Sequence, residues 1–193
     1  LIEKSGIHDC FVVVSAVGGV TNKLIEMAHN AEKGVSDYET LLKETEEIHL
    51  SLVKALIPVK LQSSVLGGIK LIINELEEVL RGIFVLKENS SKSFDFVCGI
   101  GERLSSLIIY KYLHGLSQDI TLVDPTKIII CTNEFGTGEI LIEKSKEKAR
   151  SYVSNLKKIN ICPGFIAGTL DGNFTTLGRG GSDYSAALFA NFY

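Results

Sequence analysis

No stretch of apolar residues in this 193-residue chain approaches the roughly 18 to 20 that a helix needs to span a bilayer. No run of lysine and arginine breaks it either. Its 20 basic residues face 23 acidic ones, for a net charge of −3, so the basic footprint of a nucleic-acid binder is missing. The four cysteines (Cys10, Cys98, Cys131 and Cys162) are far apart and form none of the close pairs that zinc or redox motifs use. They read as ordinary buried thiols. There is no Gly-x-x-x-x-Gly-Lys-Ser/Thr loop, no protein-kinase signature set and no Gly-x-Ser-x-Gly elbow. His8, His29, His49 and His114 share no motif, and His49 reads as a surface or satisfied core residue of a helix. No charged-then-apolar leader opens the chain, whose single methionine is Met27. The expectation is a cytoplasmic protein, seen here as a piece cut from something longer.

What remains is ordinary globular material: 45% hydrophobic and 22% charged residues, enough for one domain over residues 1–193 with a sizeable core. Phe11-Val12-Val13-Val14 is a wholly apolar, β-branched run of the kind buried on both faces of a parallel sheet. A small-residue loop and a helix through Leu24, Ile25 and Ala28 follow it, the opening of a parallel α/β unit. Leu41, Thr45, Ile48, Leu52 and Leu56 recur at helical spacing, and Pro58 interrupts them. Val65, Ile69, Ile72, Leu76, Val79, Ile83 and Leu86 resume the pattern, predicting an inserted helical hairpin whose stripe is core or a subunit contact. Strands are expected at Ile120–Val123, Ile128–Ile130 and Ile161–Gly168, with a charged helix between about Ile142 and Leu156. Pro163 points to an edge or a bulge. Asp171-Gly172 predicts a hairpin from Phe165–Thr169 to Phe174–Leu177.

Three loops carry chemistry. Ser15, Gly18, Gly19, Thr21 and Asn22 offer hydroxyls and backbone amides to a carboxylate or phosphate, although Ser15 and Thr21 have the plainer role of helix caps. Gly101-Glu102-Arg103-Leu104-Ser105 reads as the start of the helix through Leu104, Leu107, Ile108 and Tyr112. There Glu102 either favours the helix dipole or accepts from a substrate ammonium group, and Arg103 reads as an ion-pair partner. In Leu177-Gly178-Arg179-Gly180-Gly181-Ser182-Asp183, glycine allows the backbone to approach an anion, and Arg179 adds a two-pronged donor for a carboxylate or phosphate. A cap at Ser182, with Asp183 in the first turn, is the simpler account of that loop.

Taken together, and in this order, Val14-Ser15-Ala16-Val17-Gly18-Gly19-Val20-Thr21-Asn22, Gly101-Glu102-Arg103-Leu104-Ser105 and the segment from Leu177 to Ala187 resemble aspartate kinases. Val123-Asp124-Pro125 and Pro163-Gly164-Phe165-Ile166-Ala167-Gly168 are similar to that family's connecting segments. The resemblance implies the amino-acid kinase fold: a three-layer αβα sandwich around a mainly parallel sheet, here truncated at both ends. It implies phosphorylation of the side-chain carboxylate of L-aspartate by ATP, with Mg2+ arriving on the nucleotide, on the way to lysine, threonine and methionine. By motif, Ser15 and Thr21 would contact aspartate, Glu102 its α-ammonium and Arg179 a carboxylate. Gly178, Gly180 and Gly181 would form the phosphate loop, and Ser182 and Asp183 would sit beside the reacting groups, Asp183 as the catalytic residue. A homo-oligomeric full-length protein is implied as well, either monofunctional or fused to a homoserine dehydrogenase. The family's Lys-Phe-Gly-Gly-Thr-Ser segment does not occur in this sequence, so the 193-residue stretch is expected to be inactive alone. The competing readings are a kinase of glutamate, acetylglutamate or a nucleoside monophosphate, and a non-catalytic amino-acid-binding or assembly module built on the hairpin.

Overall fold

The computed structural model describes residues 10–116, 119–136, 138–178 and 180–193. β1 (Cys10–Val14) leads into α1 (Val20–Glu32), and three more helices follow: α2 (Tyr38–Leu56), α3 (Val59–Leu86) and α4 (Ser91–His114). The chain then forms β2 (Ile120–Leu122), β3 (Ile130–Cys131), α5 (Ile142–Tyr152), β4 (Ile159–Pro163), β5 (Ile166–Thr169), β6 (Phe174–Thr176) and α6 (Gly181–Phe192). No described helix is long and apolar enough to cross a membrane.

The strands form two three-stranded sheets, ordered β1-β4-β2 and β3-β5-β6. Three of the four strand pairs are parallel; the β5–β6 hairpin over Asp171-Gly172 is antiparallel, as its turn residues predict. Alternation along β1 sends side chains to opposite faces. Val12 and Val14 pack with Ile109, Tyr110 and Leu113 of α4, whereas Phe11 and Val13 join Leu188, Phe189 and Phe192 of α6. The architecture is therefore αβα in three layers around mainly parallel strands, with both faces of the first sheet covered as parallel sheets require.

Helices α1 to α4 share a separate core. Leu24, Met27, Ile69, Leu76, Leu80, Ile100 and Leu104 are fully buried there, each stabilising by on the order of 1.5–3 kcal/mol relative to exposure. Pro58 separates α2 from α3 as predicted, so the hairpin exists, and its stripe is internal core. Thr45 of α2 and Val65, Ile69, Leu76 and Ile83 of α3 are buried as the template expects, while other positions shift by one. Leu42, Thr45, His49 and Val53 are the buried face of α2, and Ile73 and Leu80 go deeper than Ile72 and Val79. Leu86 is 74% exposed, beyond the end of the packed stripe.

Two strand expectations change. Ile128 and Ile129 close a short 3-10 turn, both donating to Pro125 O at 3.0 and 2.9 Å, so β3 is confined to Ile130–Cys131. Pro163 ends a central strand rather than marking an edge or a bulge. Pairing of β4 with β2 stops at Leu122 opposite Ile161, and the strand's alternation turns the missing Pro163 donor to that vacated side.

The largest correction concerns Gly101-Glu102-Arg103, which lies in the middle of α4 and not at a helix start. The helix begins at Ser90, whose hydroxyl accepts from Ser93 N. Gly99 and Gly101 occupy its interior because neighbours press on them. A Cβ at Gly99 would stand 2.4 Å from the Phe174 ring, and one at Gly101 would stand 2.7 Å from Ala16 Cβ.

Candidate functional site

The carboxyl ends of β1 and β4 open into a cleft of about 480 Å³, where open α/β sheets gather their ligand-binding loops. It is lined by Ser15 and Thr21 from the loop after β1, Asp95 and Glu102 from α4, and Gly178 through Asp183 without residue 179. Residues separated by up to 168 positions thus meet around one space. Arg179, predicted as a carboxylate clamp, lies outside the described residues.

Glu102 forms the floor. Its side chain is 3% exposed, and Oε1 accepts from Ala16 N at 3.2 Å. Oε2 is buried without a hydrogen-bond partner among the described residues. Burial pushes the carboxyl up to about 7, with the Ala16 N–H opposing the shift. The close approach at Gly101 brings Ala16 within reach, and Ser105 Oγ donates to Ser15 O at 2.7 Å. One face of α4 therefore fixes the whole loop after β1. Arg103 points elsewhere and pairs with Glu75 at 2.7 Å, as its ion-pair reading expects.

Two helices begin at the cleft with no side-chain cap. α1 opens at Gly19 with φ 83, and α6 opens at Gly180 with φ 70, both left-handed. Ser15 and Thr21 are therefore not caps, and Thr21 lies in the first turn of α1. Ser182 is not a cap either; it occupies the first turn of α6 beside Asp183, and its Oγ is 3.4 Å from Ser15 Oγ. Uncapped first turns leave N–H groups and the positive end of the helix dipole for an anion. The loop glycines divide their work. Gly178 and Gly180 have open space where a Cβ would stand, whereas one at Gly181 would be 2.5 Å from the Phe165 ring. Gly181 thus serves packing against Phe165, itself held at φ 65 by Ser185 Oγ, which accepts from its N–H at 3.0 Å.

Chemically, the cleft offers one buried carboxylate oxygen for a cation and two helix N-termini for anions, a set suited to a zwitterion with an additional negative charge. Sequence reasoning missed Asp95, Cys98 and Phe165 in the lining. Asp95 lies seven residues before Glu102, on the same helical face; the Ser90 cap was the signal that places both on one helix. Cys98, between them, is a buried thiol pushed up to about 12 by burial, with Asp95 and Glu102 adding to the shift, and so is chemically quiet.

The sequence matches the amino acid kinase family over residues 1–193. It is 30% identical to the bifunctional aspartokinase/homoserine dehydrogenase of Buchnera aphidicola, over 97% of this chain and 23% of that protein. Against the chloroplastic aspartokinase 1 of Arabidopsis thaliana the identity is 33%, over 91% of this chain and 31% of the relative. The chain thus spans between a fifth and a third of the length of these relatives. Among solved structures, E. coli aspartokinase III in complex with lysine and aspartate superposes with a TM-score of 0.83 at 26% identity, over 94% of this chain and 40% of that one. The same enzyme with aspartate and ADP gives 0.85 at 24% identity, over 99% and 41%, a likeness of fold. With that pattern running its full length and its strands and helices arranged as in aspartokinase III, the chain belongs to the amino acid kinase family.

Proposed function

We propose that this chain carries the amino-acid half-site of an aspartate kinase, which transfers the terminal phosphoryl group of ATP to the side-chain carboxylate of L-aspartate. The observation that carries this reading is the buried Oε2 of Glu102, without a hydrogen-bond partner among the described residues, beneath two uncapped helix N-termini. A buried carboxylate is costly unless a cation meets it, and an α-ammonium group is a cation of the right size. Ser15 and Thr21 then hold the amino acid from the α1 side, with Arg179 as a further carboxylate donor. Ser182 and Asp183 flank the reacting carboxylate, and Asp183 is the residue we assign to the transfer itself.

Phosphoryl transfer depends mainly on alignment and charge neutralisation. The first turn of α6, with the open backbone at Gly178 and Gly180, fits a phosphate. No group of three metal-ligating side chains occurs among the described residues, and Mg2+, bound through phosphate oxygens and water, fits delivery with the nucleotide. The aspartokinase III structures that contain aspartate, and in one case ADP, lend support by likeness. The biosynthetic role towards lysine, threonine and methionine, the cytoplasmic setting and a homo-oligomeric parent are parts of the same proposal; the plant relatives are named chloroplastic.

The test is calorimetric titration of wild type and Glu102→Gln with L-aspartate and with N-acetyl-L-aspartate, which lacks the ammonium group. Wild type is expected to prefer L-aspartate by at least about tenfold, in line with a charge-assisted hydrogen bond. Glu102→Gln should lose that preference. Equal binding of both compounds by wild type contradicts the assignment.

A further inference from the structure

Asp95 stands one step back from the predicted chemistry. Its carboxylate is 2% exposed and collects four donors from two other parts of the chain. Oδ2 accepts from Thr175 Oγ1 at 2.5 Å, Thr176 N at 3.2 Å and Gly136 N at 3.1 Å, and Oδ1 accepts from Thr176 Oγ1 at 3.1 Å. Thr175 and Thr176 are the last two residues of β6, and Gly136 lies in the loop after β3. Just beyond Thr176 come Leu177, Gly178 and the first turn of α6. On its own helix, Asp95 is two turns from Glu102, and both line the cleft.

We propose that Asp95 is a positioning residue that holds the β6–α6 glycine loop at a fixed distance from Glu102, so that the anion-binding and cation-binding walls of the cleft keep one separation. Three physical points support this. The contacts fall at the end of β6, so that freedom there passes directly into the loop. A carboxylate only accepts hydrogen bonds, and here it meets two hydroxyls and two backbone N–H groups. An amide in its place keeps its oxygen for the two backbone N–H groups only by turning its NH2 on the Thr176 hydroxyl, and it gives up the negative charge that strengthens all four bonds. Finally, the other described ties of the loop and the start of α6 run to the β4–β5 link (Leu177 N to Phe165 O at 2.8 Å, Phe165 N to Ser185 Oγ at 3.0 Å) and to the loop after β1 (Ser182 Oγ to Ser15 Oγ at 3.4 Å), and none of them is made to α4 itself.

Hydrogen exchange of the chain, read residue by residue, tests this without a ligand. In Asp95→Asn, exchange from Thr176 to Tyr184 is expected to accelerate by about tenfold or more, while α2 and α3 stay as in wild type. If that variant does not fold, Thr175→Val, which keeps the carboxylate and both backbone donors, should give the same local pattern at about threefold. Unchanged exchange in that segment, or acceleration spread evenly over α2 and α3, overturns the proposal, the second because it marks a residue of general stability. A parallel L-aspartate titration should show affinity falling by about tenfold in Asp95→Asn. That readout rests on the proposed function. Absence of binding by wild type counts against the function alone, and the exchange result still decides the role of Asp95.

Discussion

Glu102 is held in the cleft by the Ala16 N–H and by burial, and these act in opposite directions on its proton. Its folded value of about 7 lies above the ordinary 4.5. Its contribution to stability is therefore complete below pH 4.5 and declines as pH rises through 7. Glu102→Gln removes that dependence, and urea unfolding between these pH values should show the variant gaining up to about 3 kcal/mol relative to wild type. An arriving ammonium reverses the balance by favouring the charged carboxylate. Binding of L-aspartate near neutral pH should then release protons and strengthen as pH rises through 7. Calorimetry in buffers of different ionisation enthalpy reads that release directly. Glu102 itself was legible in the sequence because its motif is short and local. Asp95 was not, because its partners Thr175 and Thr176 are 80 and 81 positions away, and nothing within ten residues of it hints at them.

At the level of elements, α4 shows where local propensity and tertiary packing part. Glycine is unfavourable in a helix interior by about 1 kcal/mol, so Gly99 and Gly101 suggest a loop when read alone. The helix runs through them because Phe174 and Ala16 occupy the space a side chain would need. Gly101→Ala should destabilise the fold by about 1–3 kcal/mol through overpacking. It should also weaken L-aspartate binding, since Ala16 must retreat from Glu102. A circular dichroism melt alongside the titration separates the two effects. For α6 the left-handed cap at Gly180 is the sensitive point: Gly180→Ala should cost about 1–2 kcal/mol, measured by denaturant unfolding. The β5–β6 hairpin, in contrast, followed from Asp171-Gly172 because turn chemistry is set within four residues. The phase of α2 did not, since its buried face includes His49, which an apolar template passes over in favour of Ile48.

Across the whole molecule, a helical core and a sheet core meet along α4, whose residues contribute to both. His49 lies deep in the helical core at 0% exposure, with Nδ1 donating to Thr45 O at 2.7 Å and Nε2 buried without a described partner. Burial moves its titration below 6.5. Its stability contribution is present above pH 6.5 and is lost as pH falls through the lower folded value. His49→Leu should therefore flatten the acid limb of the unfolding profile, as Glu102→Gln flattens the neutral one. The parallel α/β class was readable from the alternation of apolar runs and helical periods, and the three αβα layers only from the family resemblance; the division into two short sheets was not, because a two-residue strand such as β3 leaves no period to read. On the proposed function, the one pocket that these distant residues form selects an amino acid with a short acidic side chain. Calorimetric titration of the chain with L-aspartate, with L-glutamate as the competitor, decides this selectivity. Saturable binding of L-aspartate is expected, with at least about tenfold weaker binding of L-glutamate, whose extra methylene displaces the carboxylate from the α6 N-terminus. Equal affinity for the two, or none for either in a chain shown to be folded, contradicts it.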